Sequence, residues 1–348
     1  MEDLLIITHY DIPNWEKFIE YFKDVKSKNL MIFFPFESVV EPFIFYNDNK
    51  YPEFFIELEN MLIENGLTIF AVYGSFFDKG VDNLQYRPIK NVNVLYWPTY
   101  LLHYSFYNIT QSYGKHINDI NIEQNFIKLF QCYNRKPRTH RMMIVDFLKK
   151  YNLFEKGIIS WNQLSDTWDV SYAFQYWNEE VIKIDDANRI APEPVYFTDN
   201  LLNTGALFDI CGETITSHYF LTEKTFKNLL IKQPFISIGA INQNTILKEF
   251  GFKLYDELID YSFDSESFLI DRCEGAIKSI LSLKDRNYNE LYDVIKDKAE
   301  FNKRRALEII ENDPYIPQQF IEIYKNNFNK FEPNLNIPNY LCNIMVNK

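Results

Sequence analysis

The chain is poor in the residues that build most metal and redox sites. It has only 5 histidines and 4 cysteines among 348 residues, and no His-Glu-x-x-His occurs. Adjacent Asp185 and Asp186 lie in a polar loop predicted from Asp185 to Asn200, and no Asp-x-Asp stands at a predicted strand end. The cysteines form no Cys-x-x-Cys pair, which argues against a zinc site and against a disulfide framework. They are Cys132, Cys211, Cys273 and Cys342. We therefore expect no metal in the site.

Other familiar signatures are also missing. No Gly-x-Gly-x-x-Gly, P-loop or Gly-x-Ser-x-Gly occurs, so nothing indicates a dinucleotide fingerprint, a Walker-type nucleotide site or a hydrolase elbow. The N-terminal stretch MEDLLIITHYDI has no basic residues before its apolar run, which is unlike a signal peptide. No apolar run approaches the roughly 18 residues that a membrane span needs. We expect a soluble, cytoplasmic protein.

The residues that are abundant indicate a folded and acidic chain. Hydrophobic residues make up 47% and charged residues 24% of the sequence, which is typical of a globular protein. The net charge is −12, so a general nucleic-acid-binding surface is disfavoured because it would repel phosphates. The 31 phenylalanines and 24 tyrosines are better explained as large core residues than as walls for a base or sugar.

Nearly continuous apolar strands alternate with amphipathic helices along the chain. This order predicts an α/β protein with parallel sheets covered on both faces. A helix predicted from Ile122 to Leu129 leads into a strand at Phe130–Tyr133. We place a first Rossmann-like domain at residues 1–125 and a second at 126–315, with a C-terminal segment at 316–348.

A cluster of cations follows the strand at Phe130–Tyr133, at the start of a helix predicted from Arg138. The helix macrodipole disfavours positive charge at this end, unless an anion lies among the side chains. Arginine binds phosphate oxygens with two hydrogen bonds, and free N–H groups of a helix start add donors. A solvated basic turn is the alternative. The candidate residues are Asn134, Arg135, Lys136, Arg138 and Arg141.

A second polar group lies between the predicted strands Phe208–Cys211 and Phe235–Ile238. Thr222 is predicted to cap a helix that Pro234 ends, giving a strand–loop–helix–strand unit. The loop brings four residues to the carboxyl end of a strand, where α/β sheets bind ligands. A simple capped helix would explain Thr222 and Glu223 but neither Glu213 nor Lys224. The four residues are Glu213, Thr222, Glu223 and Lys224.

This second group resembles the signature of α-1,3-fucosyltransferases. In that family a Glu-Asn-Ser is followed, at the same spacing, by Thr-Glu-Lys, a helix and a Pro-Val-x-x-Gly strand. The run from Asn134 is similar to an Asn-Arg-Lys/Arg-x-Arg segment of virus-encoded glycosyltransferases, and exostosin-like enzymes have similar stretches. The resemblance covers about a third of the chain. It departs at Thr214, where Asn is usual, and at Tyr219, where Asp is usual.

The resemblance implies a metal-independent glycosyltransferase of the GT-B class, with two Rossmann-like domains facing across a cleft. Its substrates would be a nucleotide-diphosphate sugar, with GDP-fucose as one candidate, and a glycan or other hydroxyl acceptor. No resident cofactor is implied, and transfer would invert the anomeric centre. By the same resemblance, Glu223 binds ribose, Lys224 binds the diphosphate and Glu213 lies near the transferred sugar. The helix after Pro317 would return to the first domain, and a virus-encoded enzyme would act in the host cytoplasm.

An inverting transferase also needs a base for the acceptor hydroxyl. Asp11 is our first candidate for this catalytic role, because it follows the first predicted strand. Glu37, Asp78 and His103 also qualify by position. Two other functions stay open: transfer to a hydroxymethylated DNA base, which the net charge of −12 disfavours, and binding of a nucleotide sugar or glycan without turnover.

Overall fold

Two parallel β-sheets organise the part of the chain that the structure describes, a computed structural model. The structure describes residues 4–8, 29–34, 52–73, 89–113, 125–134, 137–161, 172–177, 205–217 and 219–327. The mixed α/β class with parallel sheets is confirmed, and both sheets are consistent with a Rossmann-like fold. Among the described residues, no helix combines the length and the apolar character needed to cross a membrane.

The chain divides into two compact units. The first comprises Met1–His103 with Ile310–Lys348, and the second comprises Tyr104–Ile309. The sequence-based limits at 125/126 and 315/316 remain predictions.

The first unit contains a sheet whose strands pair in chain order, β1-β2-β3-β4. Its described elements are β1 (Leu4–Thr8), β2 (Asn29–Phe34), α1 (Pro52–Glu64), β3 (Thr68–Tyr73) and β4 (Val92–Tyr96). Gly66 adopts φ +61° just after α1, a conformation that suits glycine at a helix C-terminus. Leu58 and Leu62 of α1 and Ile69 of β3 have no exposed surface and form part of the core.

A buried carboxylate fastens the C-terminal segment within the first unit. Asp313 Oδ2 accepts hydrogen bonds from Trp97 Nε1 at 2.9 Å, Thr99 Oγ1 at 2.5 Å and His103 Nε2 at 2.8 Å. Its Oδ1 accepts from the backbone N–H of Tyr315 at 2.8 Å. The ring of Phe320 lies 5.4 Å from that of Trp97, so the last described helix also packs here.

The second unit contains a sheet whose strand order reverses, β6-β5-β7-β8. The strands are β5 (Lys128–Asn134), β6 (Gly157–Trp161), β7 (Ala206–Gly212) and β8 (Phe235–Ile238). All residues of β7 and β8 are buried, as expected for central strands of a parallel sheet. Because the chain moves one way from β5 and the other way from β7, a crevice is expected between the carboxyl ends of these two strands.

Helices cover this second sheet on both faces. The remaining described helices are α2 (Tyr100–Tyr113), α3 (Thr139–Lys150), α4 (Glu223–Ile231), α5 (Gln243–Glu249), α6 (Leu269–Lys278), α7 (Tyr288–Asn312) and α8 (Gln318–Asn327). Of these, α3 to α6 lie wholly in the second unit, α8 belongs to the first, and the division of the chain falls within α2 and α7. Side chains of a strand alternate between faces. Gly212 of β7 faces Arg141 and Ile144 of α3, whereas Asp209 contacts Asn228 of α4. The helices α3 and α4 therefore lie on opposite faces.

Two sequence-based assignments need correction. The predicted helix Ile122–Leu129 is wrong in its described part, because residues 125–127 carry no helix and β5 begins at Lys128. A short apolar run is compatible with the periodicity of a helix or of a strand, and here Lys128 pairs with β7, so the segment forms a strand. The helix α2 was not predicted, because its many Tyr and Phe residues have strand-like propensity.

Candidate functional site

The two predicted polar groups meet at the carboxyl ends of β5 and β7, where the strand order of the second sheet reverses. Asn134 ends β5 and Gly212 ends β7, at the point where the strand order reverses. The chain leaves these strand ends toward the starts of α3 and α4, respectively. Polar side chains at such a point are well placed to bind a ligand, because strand ends and helix starts present unpaired backbone donors there.

The first group leads from β5 into α3. Asn134 is 1% exposed, and its backbone N–H donates to Ser160 Oγ at 3.2 Å. Its side-chain nitrogen lies 3.2 Å from Cys132 Sγ, and its Oδ1 has no hydrogen-bond partner among the described residues. Arg138 precedes α3 with extended backbone (φ −142°, ψ 151°) and makes no side-chain capping bond to the helix. No acidic residue occupies the first turn of α3.

The first turn of α3 is tied to the end of β7. His140 Nε2 lies 2.5 Å from the carbonyl oxygen of Glu213, and Arg141 Nη2 lies 3.4 Å from the same atom. Arg141 Nε donates to the Gly212 carbonyl at 3.2 Å. A Cβ on Gly212 would lie 3.0 Å from Arg141 Cγ, so glycine at this position lets the arginine stem lie against the strand.

His140 is a neutral hydrogen-bond donor. Burial lowers its pKa to about 3, and the nearby charge of Arg141 acts in the same direction. Because a carbonyl oxygen only accepts, the proton of the neutral ring must sit on Nε2. His140 was not among the sequence-based site residues. The signal that could have found it is its position next to Arg141 in the first turn of α3. Both side chains bond to backbone carbonyls at the end of β7.

Glu213 lies inside the protein rather than on the crevice surface. It is 0% exposed, and its Oε2 accepts from Thr222 Oγ1 at 2.5 Å and from the Thr222 N–H at 3.3 Å. Its Oε1 accepts from Thr225 Oγ1 at 2.5 Å and from Ser237 Oγ at 3.4 Å. Burial raises the pKa of Glu213, although Lys224 and the threonine hydroxyls oppose the shift. In this conformation the carboxyl does not face a substrate.

The second group forms the start of α4, as the sequence predicts. Thr222 is the N-cap, with extended backbone, and its side chain accepts from the Lys224 N–H. Lys224 Nζ pairs with Glu223 Oε1 at 2.7 Å, and these side chains are 26% and 22% exposed. Burial opposes the charge of Glu223, but Lys224 outweighs it and lowers the pKa of the carboxyl. Burial and the charge of Arg141 act to lower the pKa of Lys224, but the pairing with Glu223 outweighs them, so the pKa is raised.

Several predicted residues lie outside the described part of the chain or elsewhere in it. Arg135, Lys136, Asp11, Glu37 and Asp78 are outside it, as is the loop with Asp185 and Asp186. His103 is described, but it is 2% exposed and bonded to Asp313, so it does not face an acceptor in this conformation. Within the described ranges, no group of three His, Cys, Asp or Glu residues could hold a metal ion.

The interior face of α4 contains further polar residues that the sequence reading missed. Asp209 of β7 lies 3.4 Å from Lys227 Nζ and accepts from Asn228 Nδ2 at 2.9 Å. The same Asn228 nitrogen lies 3.2 Å from Cys211 Sγ. Asp209 and Cys211 of β7 and Glu213, just after it, occupy alternate positions, and all three contact α4. This buried polar row fixes how α4 lies on the sheet.

Comparisons with known proteins do not identify the chain. No family model matches it, and no curated protein or solved structure matches it. The function proposed below therefore rests on the chemistry of the described residues and on the resemblance of their sequence pattern.

Proposed function

We propose that the protein is a glycosyltransferase of the GT-B class that transfers a sugar from a nucleotide-diphosphate donor to a hydroxyl acceptor. It acts without a metal and inverts the anomeric centre, as fucosyltransferases do. The observation that carries the proposal is the contact between the two polar groups at the reversal of the strand order. There Arg141 reaches the carbonyls of Gly212 and Glu213, close to the start of α4.

The charges at this point favour an anionic ligand. Arg141 acts to lower the pKa of both His140 and Lys224, so the two charged groups, Arg141 and Lys224, lie close enough to repel one another. Arg138 adds to the effect on His140. In a protein whose net charge is −12, such a concentration of cations is stabilised when a phosphate binds among them.

The two helix starts differ, and the difference suggests where the diphosphate binds. At α4, the Thr222 hydroxyl and the Glu213 carboxyl already accept from backbone N–H groups. At α3, Arg138 supplies no side-chain cap and the first turn has no acidic residue. We therefore place a phosphate at the start of α3, with Arg138 beside it. The buried Asn134 amide, whose Oδ1 lacks a partner among the described residues, lies at the strand end that leads to this turn.

The partly exposed pair at α4, Glu223 and Lys224, suits the rest of the donor. Lys224 can turn from Glu223 toward the second phosphate, because both side chains retain exposed surface. Glu223 would then accept hydrogen bonds from the ribose hydroxyls. Stabilising the charge on the departing diphosphate is the main chemical contribution that these residues can make. The base that receives the acceptor proton stays assigned to Asp11 as a prediction.

The proposal is tested by nucleotide binding. A thermal-shift screen with GDP, UDP, CDP and dTDP should show at least one nucleotide that raises the melting temperature. Arg138→Ala and Lys224→Ala should each weaken that nucleotide's affinity about ten-fold in calorimetry, since each removes a charged contact. Lys296→Ala is the matched control, because Lys296 also pairs with a neighbouring acid, Asp293 at 2.8 Å, but lies on α7, outside both polar groups.

Unchanged affinity in both site variants, or an equal loss in the control, would contradict the site. Turnover needs a separate assay. Hydrolysis of a bound nucleotide sugar in the absence of acceptor would support an enzyme, whereas tight binding with neither hydrolysis nor transfer would favour a non-catalytic binder.

A further inference from the structure

The backbone of Glu213 connects β8 to the start of α3. Its N–H donates to the carbonyl of Ile238 at 2.9 Å. Its carbonyl accepts from His140 Nε2 at 2.5 Å and lies 3.4 Å from Arg141 Nη2. The main chain of this one residue therefore holds the first turn of α3 against the central strands.

The side chain of Glu213 connects the same residue to the start of α4. Its two carboxyl oxygens receive the N–H and hydroxyl of Thr222, the hydroxyl of Thr225 and the hydroxyl of Ser237. Thr222 alone would suffice to cap a helix, since its own hydroxyl accepts from the Lys224 N–H. The buried carboxyl is thus an additional anchor, and it costs desolvation unless its hydrogen bonds compensate.

We propose that Glu213 is a positioning residue that fixes the start of α4, with Lys224, relative to the start of α3, with Arg138 and Arg141. The assignment rests on the proposed function for its ligand, a diphosphate that needs both helix starts. It replaces a direct catalytic role, because a side chain with 0% exposure does not touch the transferred sugar. A ligand with one phosphate needs only the start of α3, so it should depend much less on Glu213.

The variants distinguish positioning from general stability. Glu213→Ala removes the carboxyl and leaves the main-chain bonds. Glu213→Gln keeps the shape, and its amide can still accept from Thr222 while donating to the hydroxyls of Thr225 and Ser237. Asp146→Asn is the matched control, because Asp146 is also 0% exposed and also accepts several protein hydrogen bonds, yet contacts neither helix start. If Glu213→Ala does not fold, Thr225→Val removes one of the anchoring hydroxyls instead.

The first measurement is hydrogen exchange, which needs no ligand. In Glu213→Ala, the backbone amides of residues 222–226 should exchange about ten-fold faster or more, because their anchor is lost. Glu213→Gln should stay within about three-fold of the native rate, and Asp146→Asn should leave this segment unchanged. Native exchange of residues 222–226 in Glu213→Ala would overturn the positioning role, whatever the protein binds. For Thr225→Val the same segment should exchange faster, and a native rate would count equally against the role.

The second measurement is calorimetry with inorganic phosphate and inorganic pyrophosphate. Glu213→Ala should weaken pyrophosphate binding about ten-fold and phosphate binding by less than about three-fold, with Glu213→Gln restoring the pyrophosphate affinity. An equal loss for both probes, or no loss for either, would overturn the proposal. If the native protein binds neither probe, the proposed function fails, and the exchange measurement still decides whether Glu213 positions α4.

Discussion

Replacing Asp313 should release the C-terminal segment of the first unit. The carboxylate is 4% exposed and accepts from Trp97, Thr99, His103 and the Tyr315 N–H. Asp313→Ala leaves these donors without their acceptor inside the protein. The hydroxyl of Thr99 and the ring of His103 can adjust, but the Trp97 and Tyr315 N–H groups cannot. Removing one partner of a buried charged group typically costs about 3–5 kcal/mol, and we expect that range here.

Asp313→Asn should cost less. If the amide nitrogen takes the place of Oδ1, it faces the Tyr315 N–H, and only that donor loses its acceptor. One stranded buried donor costs about 1–3 kcal/mol. Asp297→Ala is the control, because Asp297 is exposed on α7 and substitutions at such positions usually change stability by less than about 0.5 kcal/mol.

The assay is hydrogen exchange of the amides in Gln318–Asn327, compared with those of α6 in the second unit. In Asp313→Ala the first segment should exchange roughly a hundred-fold faster or more, with Asp313→Asn intermediate and α6 unchanged. If Asp313→Ala and Asp297→Ala behaved alike, the carboxylate would not be the anchor that its hydrogen bonds indicate.

The same cluster predicts a dependence on pH. Burial acts to raise the pKa of Asp313, but hydrogen bonds from His103, Thr99 and Trp97 outweigh it and hold the pKa below its ordinary value. A lowered folded-state pKa means that the stabilisation is present above the unfolded pKa, about 3.9, and disappears as the pH falls through the folded value. Protection of Gln318–Asn327 should therefore be lost below about pH 4, and this acid step should be absent in Asp313→Asn.

Two further substitutions probe the second unit. Gly212→Ala places a Cβ 3.0 Å from Arg141 Cγ and 3.4 Å from Ile144 Cδ1, so the arginine must move; we expect a loss of about 1–3 kcal/mol in the free energy of unfolding and weaker nucleotide binding. Native stability and affinity in this variant, measured by urea unfolding and calorimetry, would show that the close approach is unimportant. In the native protein the backbone N–H groups of residues 175–177 all donate to the Asp146 carboxylate. Asp146→Asn turns an amide nitrogen toward at least one of these donors and should lower the free energy of unfolding by about 1–3 kcal/mol. Faster exchange of residues 172–177 is the expected signature, and unchanged exchange would contradict the anchoring role.

The sequence predicts the regular elements of the second unit well. The strand Phe235–Ile238 has the predicted ends, and Thr222 caps α4 as its residue type indicates. These assignments depend on local signals: an apolar run before a glycine, a helical period, and a hydroxyl before a charged first turn. Local signals do not show which way a side chain turns, so Glu213 was expected near the transferred sugar, whereas its side chain is buried against the start of α4.

The interior polar row could not be predicted because its partners are distant in sequence. Asp209 looks like an interruption in an apolar strand until Lys227 and Asn228, on the following helix, are known to face it. In the same way, the contact of Arg141 with the end of β7 joins residues that the chain separates by some 70 positions. A single sequence carries the residue types for these contacts, but only the strand order brings them together.

The glycine at the end of β7 explains how the proposed phosphate site could work without a glycine-rich loop. In dinucleotide-binding folds, glycines let the backbone approach a pyrophosphate. Here the space above Gly212 is filled by the protein's own Arg141, whose guanidinium bonds to the Gly212 carbonyl. The strand end thus presents a fixed cation instead of bare backbone. A phosphate at the start of α3 would meet side-chain charge from Arg138 and Arg141 together with the backbone N–H groups of the helix start. Such a site needs a glycine only at Gly212, where the side chain of Arg141 lies against the strand.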